Sequence, residues 1–134
     1  MNLEAVVVDA SALVDLIVPT DRAEVVAKTI EGRALHAPAH VDAELLSAFG
    51  RLQRAGVLSD PDVTDLLDLL ETMPVVRHGL PDLLDLAWAH RHDTRLTDAL
   101  YLALAERLGL GLVTTDARLT RAGSASSLIL PLNA

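Results

Sequence analysis

Apolar residues recur along this chain with two periods. Residues 4–8, "EAVVV", form a short β-branched run followed by a turn, the pattern of a strand buried on both faces. Comparable runs stand at "ALHAP" (34–38), "VVRH" (75–78), "GLVTTD" (111–116) and "SLILPL" (127–132). Helical spacing fills the intervals. "SALVDLIV" reads as a brief helix ending at Pro19, and Thr20 reads as the cap of "DRAEVVAKTIEG", with Gly32 as its stop. Residues 39–55 carry Val41, Leu45, Ala48, Phe49 and Leu52 on one face and stop at Gly56. "SDPDVTDLLDLLETMP" begins with Ser59 as cap and an acidic first turn. "LPDLLDLAWAHRH" and "TDALYLALAERLG" read as two further helices. Strands alternating with helices predict an α/β fold, a parallel and five-stranded sheet covered on both faces. Repeats and linkers are absent, and residues 1–134 read as one domain.

Composition sharpens this picture. Phe49, Trp88 and Tyr101 are the only aromatics, so the core is aliphatic and base stacking on aromatic platforms is disfavoured. The absence of cysteine excludes disulfides and thiolate metal sites and suits a reducing cytoplasm. No run approaches the roughly 18 apolar residues of a membrane span. "MNLEAVVVDAS" has no basic segment and no cleavage site, and reads as a first strand rather than a signal peptide.

The net charge of −8 repels a phosphate backbone, yet 13 of the 19 acids are Asp, and gathered carboxylates make a site for a hard cation that reverses the local sign. In a right-handed strand–helix–strand array the carboxyl ends of all strands share one edge. Asp9 ends the first strand, Glu44 lies early in the helix after the second, Asp98 opens the helix leading into the fourth strand, and Asp116 ends that strand. Four acids distant in sequence therefore meet on one rim. Two carboxylates about 4 Å apart repel by about 4 kcal/mol at an effective dielectric near 20, so a cation is required. All-oxygen ligands suit Mg²⁺ or Mn²⁺, and such an ion supports phosphodiester hydrolysis.

At these residues the chain resembles the PIN-domain ribonucleases, and within them the VapC toxins of toxin–antitoxin pairs. The resemblance runs through "VVVDASALVDL", "VDAELLSAFGRL", "TDALYLALAERLGLGLVTTDARL" and the closing "ILPL". It implies a PIN-like three-layer sandwich whose acidic quartet, Asp9, Glu44, Asp98 and Asp116, binds Mg²⁺ or Mn²⁺ and cuts tRNA, rRNA or mRNA. It further implies supporting hydroxyls at Ser11 and Thr114, products ending in 5′-phosphate and 3′-hydroxyl, a homodimer, and neutralisation by a VapB-type antitoxin. One departure is visible: Thr97 replaces the aromatic that many relatives have before "DALY", and reads as a helix cap.

Several residues carry plainer readings. Asp93 lies close enough to Asp98 to add to the acidic rim. His40 precedes Glu44 by one helical turn and reads as a surface or capping histidine rather than a ligand. His90 and His92 flank Arg91 at a helix end, where cations are favoured. Ten of the eleven basic residues are Arg; Arg51, Arg54, Arg91, Arg95, Arg118 and Arg121 either line a groove beside the acids or pair with surface Asp. Two rival functions remain. A phosphoacceptor receiver domain requires a lysine near the last strand, and the sole lysine is Lys28, in an early helix. A catalytically silent PIN fold that only binds a partner is the other.

Overall fold

The computed structural model describes residues 4–18, 20–124 and 128–132. In chain order the elements are β1 (Ala5–Val8), α1 (Ala10–Ile17), α2 (Ala23–Ile30), β2 (Ala34–Pro38), α3 (Val41–Arg54), α4 (Asp60–Thr72), β3 (Val75–His78), a 3₁₀ turn (Pro81–Leu83), α5 (Leu84–Ala89), α6 (Leu96–Leu108), β4 (Gly111–Val113) and α7 (Ala117–Ser124). The strands form one parallel sheet in the order β3-β2-β1-β4, flanked by helices. No helix among the described residues is long and apolar enough to cross a membrane.

The order of the strands follows from burial. Val6, Val7 and Val8 are at most 1% exposed, which only an interior strand covered on both faces achieves. β1 accordingly sits inside the sheet, with Val7 opposite His36 on one side and Leu112 on the other. α6 is apolar around its whole circumference, and Asp98 through Ala105 are all buried. It packs on β1, β2 and β4 beneath α5 and the 3₁₀ turn, while α1 packs on α2 and α3. Gly32 and Gly56 have φ of 72° and 79°, left-handed conformations that disfavour a Cβ, and both stop helices where the pattern predicts. Ser59 caps α4 in a reciprocal box with Asp62, whose carboxyl is held below its ordinary range by the Ser59 backbone N–H and hydroxyl.

Four sequence expectations change. The fifth strand reduces to a single parallel bridge, Leu112 to Ile129, with hydrogen bonds of 2.7 and 2.9 Å from and to Leu112. β4 is only three residues long, and Pro131 has no N–H to extend a ladder; Ser127 lies outside the described residues, as does Pro19, the expected end of the first helix. Thr20 is not the cap of α2. Arg22 holds that position, and the Thr20 hydroxyl donates to the Asp15 carbonyl at 3.0 Å. Residues 80–92 divide into the 3₁₀ turn and a short α5, closed by His90 and Arg91 N–H groups bonding back to Ala87 and Trp88 carbonyls. Arg91 also donates Nη1 to the Trp88 carbonyl at 3.0 Å and lies 4.9 Å above the Trp88 ring. Thr97 caps nothing; the N-cap of α6 is Arg95, and Thr97 is inside the helix.

The edge strand is anchored by one side chain. Arg77 forks onto Asp42 at 2.9 and 3.2 Å and donates to the carbonyls of Leu70, Met73 and Val75 at 3.0–3.2 Å, tying β3 to the start of α3 and the end of α4. Removing it takes a donor from each of three carbonyls and two from the Asp42 carboxylate. Arg77→Ala is expected to lower unfolding free energy in urea by about 2–3 kcal/mol, and Asp42→Asn by less, because the carbonyl contacts survive.

Candidate active site

The site begins where β1 ends. Asp9 still belongs to the sheet through its N–H, which donates to the Val113 carbonyl at 3.2 Å. Its extended backbone, φ −96° and ψ 173°, makes it the N-cap of α1, and its Oδ1 accepts the Ala12 N–H at 2.9 Å. The Ser11 hydroxyl donates to the same carboxylate at 2.8–2.9 Å, and the Thr114 hydroxyl at 2.6 Å. Ser11 Oγ in turn accepts the Thr115 N–H at 3.2 Å, and Thr114 Oγ1 the Asp116 N–H at 3.0 Å. The turns leaving β1 and β4 are thereby stitched together around one buried carboxylate.

The other three acids converge on the same place. Glu44 lies in the first turn of α3 and accepts the Tyr101 hydroxyl; His40 Nε2 is 3.4 Å away. Asp98, third residue of α6, is only 7% exposed and accepts Arg95 Nε at 3.0 Å. Asp116 lies three residues beyond β4, not at its end, and accepts the Arg118 N–H at 2.9 Å as α7 begins. All four line a cavity of about 380 Å³, together with Asp15, Tyr101, Arg51, Arg95 and Arg118.

Burial pushes the Asp9 carboxyl up to about 6; the hydrogen bonds from Thr114, Ala12 and Ser11 oppose this, and the Asp116 charge adds to it. Tyr101 is held in its neutral, donating form, first by burial and then by Glu44. The donor set fits a hard divalent cation, since carboxylates and hydroxyls line the cavity and thiolates are absent. The fit is one of chemistry and location. Among the described residues no three carboxylate or imidazole side chains stand together as a ready coordination set, because Asp98, Glu44 and Asp9 are each turned to a protein partner.

Asp93 is exposed and lines a neighbouring groove rather than this cavity. His40 is the N-cap residue of α3, as expected of a capping histidine, but its side chain makes no cap hydrogen bond. Its side chain is 12% exposed, its ring centroid is 4.8 Å from that of Tyr101, and Nε2–H donates to the Thr97 carbonyl at 2.8 Å, joining the starts of α3 and α6. Sequence reasoning missed Tyr101 and Asp15 as neighbours of the acids, whereas Arg95 was among the arginines expected beside them. Tyr101 and Arg95 stand three residues either side of Asp98, the helical spacing that puts side chains on one face.

The PIN-domain sequence model matches residues 6–125, and the chain belongs to that family. Ribonuclease VapC3 of Mycobacterium tuberculosis is 57% identical over 120 residues, covering 89% of this chain and 88% of its own, so within the family the chain is of the VapC ribonuclease type, a toxin endoribonuclease. Two solved structures share the fold. Mycobacterium tuberculosis VapC20, described as a sarcin-ricin loop cleaving toxin, superposes with a TM-score of 0.71 at 18% identity, covering 96% of this chain and 100% of its own. A toxin–antitoxin complex from Klebsiella pneumoniae gives 0.68 at 14% identity, covering 95% and 97%. VapC nucleases generally depend on a divalent metal.

The raised Asp9 value has a consequence for stability. The folded state binds this proton more tightly than the unfolded chain, whose ordinary value is 3.8. Its contribution is complete below pH 3.8 and lost as pH rises through about 6. In EDTA the wild type is expected to lose on the order of 3 kcal/mol more than Asp9→Asn between pH 4 and 7. Thermal melts of both proteins across that range check this, and Mg²⁺ at pH 7 is expected to restore the wild type selectively.

Proposed function

We propose that this protein acts in the cytoplasm as the toxin of a VapBC-type pair. Residues 1–134 form one PIN domain that, with Mg²⁺ or Mn²⁺, hydrolyses tRNA, rRNA or mRNA and inhibits translation until a VapB-type antitoxin covers it. The observation that carries this reading is the meeting of Asp9, Glu44, Asp98 and Asp116 around one cavity at the carboxyl edge of a parallel sheet. When bound there, a divalent cation supplies the positive charge that draws phosphate oxygens and makes water acidic enough to attack phosphorus.

The chain's own groups divide the remaining work. Asp9 and Asp98, the two most buried of these acids, would hold the cation together with Asp116 and Glu44. Ser11 and Thr114 fix the Asp9 carboxylate by donating to it, leaving their lone pairs to the turn beyond β4. Tyr101 fixes Glu44 in the same way. Arg95 pairs with Asp98 and offsets its charge. A receiver-domain reading fares worse, because Lys28 pairs with Glu24 at 3.3 Å along α2 and takes no part in the cavity.

A homodimer is supported by the apolar surface that α5 and the start of α6 leave exposed, where Leu84, Trp88 and Leu96 are 56%, 57% and 45% exposed. Light scattering of the purified chain is expected to give twice its 14.3 kDa at micromolar concentration.

The decisive experiment incubates antitoxin-free protein with total RNA and Mg²⁺ or Mn²⁺ and maps the ends by sequencing. Discrete cuts with 5′-phosphate ends are expected, abolished by EDTA. Asp98→Asn is expected to cut more than about 100-fold more slowly, beyond the loss caused by removing a group that merely supports a ligand, with an unchanged circular dichroism spectrum. Cleavage at the wild-type rate by that variant refutes the site.

A further inference from the structure

The acidic cavity is not isolated. Two further grooves open from it, one of about 560 Å³ bounded by His92, Asp93 and Arg121, the other of about 600 Å³ bounded by His40, Ser47 and Thr97. Arg95 and Arg118 line the cavity and both grooves, and Arg51 lines the cavity and the second groove. A chain with a net charge of −8 thus concentrates three of its eleven basic side chains on the rim of its most acidic depression.

These arginines are not equivalent. Arg95 is committed to Asp98 at 3.0 Å, and Arg118 Nε lies 3.7 Å from Asp116. Arg51 makes no ion pair and no side-chain hydrogen bond among the described residues, although the chain offers nineteen acids. It stands on α3 seven residues after Glu44, two helical turns along the same face. A surface arginine serving only folding or solubility has no need to sit at the junction of the cavity and a groove. Its planar fork is matched to two oxygens of one phosphate.

We propose that Arg51 is a phosphate-binding residue that holds the RNA backbone next to the scissile position, in the groove between α3 and the start of α6. The inference rests on the nuclease reading above and gives it a direction: the strand crosses the acidic cavity along these grooves and is held through its phosphates. With so few aromatics in the chain, backbone contact rather than base stacking supplies the affinity.

Binding and cleavage are measured separately. Binding uses fluorescence anisotropy of labelled bulk tRNA in EDTA, in the Asp9→Asn background, where the cavity carries one negative charge less and nothing is cut. Adding Arg51→Ala is expected to weaken binding about 5–10-fold near 0.1 M salt and to lower the slope of log K against log salt by roughly 0.7–0.9, one phosphate contact. Arg51→Lys is expected to keep the slope and recover only part of the affinity. Arg107→Ala, an equal change of charge in an arginine 3.9 Å from Asp82 and outside these grooves, is expected to leave the slope unchanged. Equal slopes for Arg51→Ala and its parent, equal losses for Arg51→Ala and Arg107→Ala, or no tRNA binding by the parent overturn the proposal. Cleavage of total RNA with Mg²⁺ by the otherwise wild-type protein tests the underlying reading: binding that depends on Arg51 without any cleavage overturns the nuclease and leaves the phosphate contact standing.

Discussion

The charge on Asp9 is the constraint around which this structure is arranged. A carboxylate at the end of a fully buried strand is costly, and the fold reduces the cost with three donors, the Ala12 N–H and the Ser11 and Thr114 hydroxyls. Those donors come from two chain segments more than a hundred residues apart. Satisfying Asp9 therefore fixes how the turn beyond β4 lies against the start of α1. Burial still dominates its titration, so the folded protein carries an electrostatic deficit that a bound cation would relieve. Stability is given up at the position where chemistry needs an unscreened charge.

The other acids are placed by the same economy of elements. α6 is the central helix of the core, buried on every side from Asp98 to Ala105, and it carries one cavity acid together with the phenol that fixes another. His40 joins the α6 and α3 starts through the Thr97 carbonyl, tying together the helices that carry Asp98 and Glu44. A helix whose packing is this complete has little freedom to shift, which gives the cavity a rigid floor. Each acid is meanwhile held by a protein partner: Asp9 by the Ser11 and Thr114 hydroxyls, Glu44 by the Tyr101 phenol, and Asp98 by the Arg95 guanidinium.

The net charge of the chain is a poor guide to its active surface. Acids are spread over the exposed faces of α4 and α5, whereas arginines gather at the rim of the cavity. At a Debye length of about 8 Å in physiological salt, distant surface charge is screened and the local rim decides what approaches. An overall acidic protein can in this way present a cationic border to a polyanion, while its remote charge discourages nonspecific adhesion.

Period and punctuation in the sequence determined most of the framework. The β-branched run ending at Val8 marked an interior strand, Gly32 and Gly56 marked helix stops, and Ser59 with its acidic first turn marked α4. These features are local, set by backbone conformation and burial pattern, and so are legible one segment at a time. The four acids were legible as well, because parallel topology sends every strand end to one edge. Tertiary structure decided what spacing cannot encode. The last strand shrinks to one bridge because β4 is three residues long and Pro131 follows. Thr20 and Thr97 lose their capping roles to Arg22 and Arg95, since which residue leaves the helical conformation depends on how the preceding turn is packed. The partners of Glu44 and Asp98, and the unpaired state of Arg51, depend on distances between segments, and such distances exist only once the chain has folded.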